Sequence, residues 1–111
     1  MDIDLLRKEC MKLPHTCEDI KWENDLCFTI AEKMYCVASL VEPLTISLKV
    51  TEAEFHSLVN IQGIKPAPYV ARYFWINIED MTVFTKKEWQ KYITQSYNLI
   101  KEKLSKNRCL I

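Results

Sequence analysis

Two prolines one residue apart, Pro66 and Pro68, follow closely on Gly63, the chain's only glycine. Each proline fixes its own φ and pushes the preceding residue toward extended backbone, so residues 64–68 are closed to a helix. The run after them, Tyr69-Val70-Ala71-Arg72-Tyr73-Phe74-Trp75, is dense in aromatics and carries one arginine. It passes into an alternation through residues 73–78 that reads as a strand. A stiff lead-in therefore delivers Tyr69 and Arg72 to the threshold of a buried strand, and the other elements must be placed around it.

On the N-terminal side, Asp2 can cap a helix in which Ile3, Leu6, Cys10 and Leu13 recur at helical spacing, ending before Pro14. An acidic passage with Glu18, Asp19, Glu23 and Asp25 follows, and it reads as a solvated edge. Residues 26–30 and 34–40 are strand-like and are joined by Ala31-Glu32-Lys33, so they form an antiparallel hairpin whose turn lacks the usual glycine. Glu42-Pro43 makes a corner. Residues 44–50 then alternate, with Ile46, Leu48 and Val50 toward a core and Thr45, Ser47 and Lys49 away from it.

Two helix starts share one device. Thr51 with Glu54 and Thr85 with Glu88 have the spacing of capping boxes. Val50 with Phe55 and Phe84 with Trp89 have that of hydrophobic staples. The first of these helices ends near residues 60–63. The second carries Trp89, Ile93, Ser96, Tyr97, Ile100 and Leu104 on one stripe, with Lys101, Lys103, Lys106 and Arg108 toward its negative end. Strands grouped between helices, without βαβ alternation, predict a single α+β domain over residues 1–111, with helices on one face of an antiparallel sheet.

Formal net charge is zero, which argues against a strongly basic nucleic-acid binder. The charge is divided unevenly, though: residues 1–55 hold 6 Lys and Arg against 11 Asp and Glu, residues 56–111 hold 9 against 4. An anionic partner is therefore expected on the C-terminal half. Five scattered cysteines without a C-x-x-C pair point to free thiols in a reducing cytoplasm, and no run reaches membrane-spanning length. His15, Cys17 and Cys10 lack the second cluster that would complete a tetrahedral metal set. One glycine excludes a glycine-rich phosphate loop, and no cysteine stands beside a base in sequence. Neither catalysis, a cofactor nor a metal is expected.

The candidate site is the basic and aromatic set Lys49, Lys65, Tyr69, Arg72 and Tyr73, with Lys86, Lys87 and Lys91 nearby in sequence. Lysine and arginine neutralise phosphates, and tyrosine stacks on bases. Trp75 and Phe74 read as core.

Several stretches together resemble the MmcQ/YjbR family of small proteins regarded as DNA-binding. They are Leu13-Pro14 closing the first helix, WENDLCF at residues 22–28, Lys33-Met34-Tyr35, Leu48-Lys49, PAPYVARYFW at residues 66–75, and Ser96-Tyr97. The resemblance implies a CyaY-like fold, a non-enzymatic role and DNA as partner, with no catalytic residues. Ala31-Glu32 stands where that family carries a glycine pair. Iron handling, suggested by frataxin-like folds, is not carried over, because Arg7, Lys8 and Lys12 interrupt the acids of the first helix. The alternative to DNA binding is a protein-interaction or small-ligand module using the same surface; a monomer is expected in either case.

Overall fold

The computed structural model describes residues 1–68 and 70–108, the last four of these by backbone alone, so Tyr69 and Cys109 lie outside the described residues. In chain order the elements are α1 (Ile3–Met11), β1 (Thr16–Lys21), β2 (Asp25–Ile30), β3 (Lys33–Ser39) and β4 (Thr45–Lys49). Then come α2 (Glu52–Leu58), β5 (Ile64–Pro66), a 3-10 turn (Ala71–Tyr73), β6 (Trp75–Ile78) and α3 (Lys86–Arg108). The strands form one antiparallel sheet in the order β1-β2-β3-β4-β6-β5.

Register assigns the two faces. The row Leu26–Ala38–Ile46–Ile78–Ile64 is buried from end to end. It packs with Leu6 and Cys10 of α1, Leu58 of α2 and Trp89, Ile93, Tyr97 and Leu104 of α3 in one cluster. All three helices therefore lie on that face. Burying a large apolar side chain is worth roughly 1.5–3 kcal/mol, so it is this stripe, more than helix propensity, that seats α3 on the sheet. The opposite row runs Asp19–Cys27–Val37–Ser47–Asn77–Lys65, and among the described residues no helix packs over it.

The helix starts are as their sequence spacings predict. Asp2 accepts from the Leu5 amide at 2.8 Å, and Thr51 and Glu54 make a reciprocal capping box. Thr85 and Glu88 do the same at 2.8 and 3.2 Å, and Phe84 meets Trp89 edge-on at 5.3 Å between ring centres. Gly63 adopts φ +96, and a Cβ there would lie 2.7 Å from Cβ of Asp80. The single glycine thus occupies a site that requires one, where its carbonyl accepts from the Glu79 amide at 2.7 Å.

Three readings are corrected. Of the acidic passage read as a solvated edge, Glu18 and Asp19 belong to a full strand, β1, which pairs with β2 from Thr16–Ile30 to Lys21–Asp25, while Glu23 sits in the turn and Asp25 opens β2. It is an edge strand on which Asp19 is exposed and Glu18 pairs with Arg7 of α1 at 2.7 Å; charge on an edge is a common guard against edge-to-edge association, and the same charges hide its alternation. The strand expected to begin at Tyr73 begins at Trp75. A 3-10 turn takes residues 71–73, and Phe74 reverses the chain at φ 66. Residues 64–66, read only as extended lead-in, pair with β6 as β5.

The glycine-free hairpin turn carries Ala31 and Glu32 at φ 49 and 67, and Trp22 and Glu23 at the β1–β2 turn sit at φ 51 and 72. The first is a two-residue loop with positive φ at both positions, the twist that tight antiparallel hairpins demand, and the second is a three-residue loop, residues 22–24, with positive φ at its first two.

Candidate functional site

Where β4 ends beside β6, Lys49 pairs in register with Trp75. Beyond this point the two strands are held together by the amide of Val50 donating to the carbonyl of Phe74 at 2.9 Å. Residues 67–74 loop out between β5 and β6, closed at their base by the Ala67 amide on the Trp75 carbonyl at 3.0 Å. The 3-10 turn in this loop holds Arg72 and Tyr73 exposed, with Tyr73 44% accessible.

The last turns of α3 come down beside this loop, and a cleft of about 450 Å³ opens between them. Lys33, Lys49, Lys103 and Tyr73 line it, with Met34 and Trp75 among its apolar walls. The ammonium of Lys49 donates to the carbonyl of Tyr73 and lies 5.8 Å from the ring centre of Phe74. Arg72 and Lys103 lie 4.8 and 5.5 Å from the ring centre of Tyr73. Tyr73 is therefore contacted by two cations, an arrangement in which the ring's negative face offsets part of their repulsion.

The electrostatics are one-sided. Burial, and then the neighbouring charge of Lys103, hold the Lys49 ammonium below its ordinary pKa. Both causes disfavour its charged form, and an anion in the cleft would oppose both. Among the described residues no carboxylate lines the cleft. Among the described residues no carboxylate pairs with Arg72 either, the ion pairs there being Arg7–Glu18, Lys12–Glu9, His56–Glu52 and Lys65–Glu79.

Of the residues expected at the site, Lys49, Arg72 and Tyr73 are brought together. Lys65 is not: it sits on β5 and is paired with Glu79 at 2.9 Å. Tyr69 lies outside the described residues. Lys87 and Lys91 lie along the exposed side of α3, and Lys91 rests 4.9 Å from the ring centre of Tyr92. At 1.5 Å per residue, Lys87 and Lys103 are roughly 24 Å apart along the helix. Trp75 is buried, as its strand setting predicts, although it faces away from the helices and lines the cleft. Phe74 is only half-buried, since the chain reversal at this residue turns it toward Phe55 and Lys49.

The sequence model of the YjbR family matches residues 11–99. The chain belongs to the YjbR family. Its fold is shared with a Deinococcus radiodurans protein carrying a DUF419 domain, at a TM-score of 0.80 and 24% identity over 88% of this chain and 77% of that one. A protein from Pseudomonas syringae superposes with a TM-score of 0.74 at 23% identity, over 89% of this chain and 98% of that one. No curated protein matches the chain.

Within this YjbR-family fold, sequence reasoning missed Lys33, Lys103 and Trp22. Lys33 was read as a turn residue and Lys103 as a complement to the helix dipole. Lys33 instead opens β3, paired with Ile30, and neither description carries the information that the start of β3 and the end of α3 meet beside Lys49. Trp22, next to the acidic passage, is 68% accessible. An exposed indole between charged neighbours was the one available signal.

No helix among the described residues is long and apolar enough to cross a membrane. No group of three or more His, Cys, Asp or Glu side chains among them could hold a metal ion. Cys10, Cys17, Cys27 and Cys36 are free thiols; Cys10, Cys27 and Cys36 are buried.

Proposed function

We propose that this YjbR-family chain is a non-enzymatic DNA-binding module whose contact surface is the cleft between the β5–β6 loop and the end of α3. The observation that carries this reading is the gathering of Lys33, Lys49 and Lys103 around one cleft without a carboxylate, beside Arg72 on the Tyr73 ring. Three lysines lining the cleft and Arg72 beside it, with no carboxylate among the described lining residues, offer an anion site, and the exposed ring next to them suits a base. Zero net charge is no obstacle, because the positive charge is local while 11 of the 15 acids lie in residues 1–55.

The test is a titration against DNA at several salt concentrations. Four phosphate contacts predict a log–log salt slope of about −3 on single strands, from roughly 0.7 per phosphate. Arg72→Ala should leave the melting transition unchanged, weaken binding about equally across sequences, and reduce the slope by about one. Affinity that is flat in salt would overturn the reading and assign the surface to an apolar protein or ligand instead.

A further inference from the structure

The helix-free face of the sheet is not flat. Next to the basic cleft lies a second recess of about 670 Å³, within the range of small-molecule sites. Its walls are Trp22 from the β1–β2 turn, Val37 from the sheet, Ala67, Pro68 and Val70 from the β5–β6 loop, and Trp75. Met34, Val70 and Trp75 line both recesses, so the two adjoin across these three side chains. Trp22 stands 68% exposed at the rim. A large exposed aromatic bordering an apolar recess marks a contact surface rather than a folding requirement.

The charges give this surface a direction. Lys33, Lys49 and Lys103 lie at one end, while the carboxylate lining the other is Asp25. An occupant with a negative group must place it at the lysine end and its uncharged planar part toward Trp22. Polar edges are available beside that part: Asp25 can accept a hydrogen bond, and Ser47 already accepts from Asn77 Nδ2 at 2.8 Å.

Resting on the reading of the basic cleft as a phosphate site, we infer that the apolar recess receives a base of single-stranded nucleic acid, seated against Trp22 and Trp75. The adjoining phosphate lies among Lys33, Lys49 and Lys103. A duplex cannot supply this occupant, because its base faces are buried in the stack and only their edges are open in the grooves. Single strands offer an aromatic face at every nucleotide. The protein therefore discriminates strandedness with the recess and gains its salt-dependent affinity from the cleft.

The experiment compares three probes of equal length: a single strand of dT, the same strand with every base removed, and the duplex. The abasic strand keeps the phosphates, so it isolates the cleft. The wild-type chain should bind the dT strand about tenfold more tightly than either other probe, the scale of one stacked base. Trp22→Ala, at an exposed position, should erase that preference and leave abasic affinity unchanged. Lys103→Gln should weaken all three probes alike. Equal binding of dT and abasic strands by the wild type, or duplex bound as well as the single strand, would overturn the base site while leaving the phosphate cleft intact. Binding to none of the probes would overturn both.

Discussion

Replacing Ser96 by alanine tests how this fold holds its cleft together. Ser96 sits on α3, fully buried, and its hydroxyl does two jobs. It donates to the carbonyl of Tyr35 at 2.5 Å and accepts from the amide of Lys49 at 2.9 Å. Both backbone groups lie where the ladder is interrupted. The β2–β3 register slips between Phe28 and Thr29, leaving Tyr35 without a strand partner there, and the β3–β4 register begins only at Cys36–Leu48. One side chain from the helix thus closes the gap between two strands. Ser96→Ala removes it and orphans a donor and an acceptor in the interior. Each orphan costs roughly 1–3 kcal/mol, against which alanine recovers about 0.5 kcal/mol of helix propensity. The net loss for the two groups together should be about 1.5–5.5 kcal/mol. Equilibrium urea unfolding should show a lower midpoint with an unchanged slope. Thr94→Ala, two residues away on the exposed side of the helix, should change stability by less than about 0.5 kcal/mol. A Ser96→Ala variant as stable as Thr94→Ala would refute the reasoning and mean that water or a backbone shift satisfies both groups.

Glu32→Gly should stabilise the chain by about 0.5–1 kcal/mol in the same assay, since the left-handed φ of Glu32 costs a non-glycine residue more than glycine's extra chain entropy does; a destabilised variant would contradict this turn geometry. Thr85→Ala should cost roughly 1 kcal/mol through loss of the capping box of α3, and a neutral result would show that the cap contributes nothing. Lys103→Gln should raise the Lys49 pKa part of the way to its ordinary value, because Lys103 is the smaller of the two causes holding it down; NMR titration of the Lys49 side chain that finds no rise would separate the two lysines. The sign carries into stability: a folded-state pKa below the unfolded one means the unfolded chain binds more protons, so the Lys49 penalty is fully present below the folded pKa and is relieved as pH climbs toward the ordinary lysine value. The penalty between those two pKa values should be smaller in Lys103→Gln, as read from melts across the alkaline range.

Much of the fold was legible in the residues because its signals are local. Thr51-x-x-Glu54 and Thr85-x-x-Glu88 satisfy backbone donors within four residues of themselves, so their spacing alone announces a helix start. The alternation of Ile46, Leu48 and Val50 assigns a core face whatever lies across from it, and all three are buried. Gly63 and the two prolines constrain φ, a property of single residues. Family membership was readable for a related reason, since PAPYVARYFW and its companion stretches are local strings.

What escaped the sequence is what depends on two distant segments meeting. The edge strand β1 carries charges that mask its alternation, and only pairing with β2 shows that it runs from Thr16 to Lys21. Phe74 takes a left-handed turn that no propensity predicts for phenylalanine, and it is imposed by loop closure between Ala67 and Trp75. Ser96 is an ordinary helix residue until β3 and β4 arrive beneath it. The same holds for the candidate site. Lys49, Arg72 and Tyr73 stood out by composition, but their union with Lys33 and Lys103, and the diversion of Lys65 to Glu79, follow from the docking of α3 on the sheet and the pairing of β5 with β6. Local chemistry is written in neighbouring residues; a charge's partners are chosen by whichever chain segment the hydrophobic core brings alongside it.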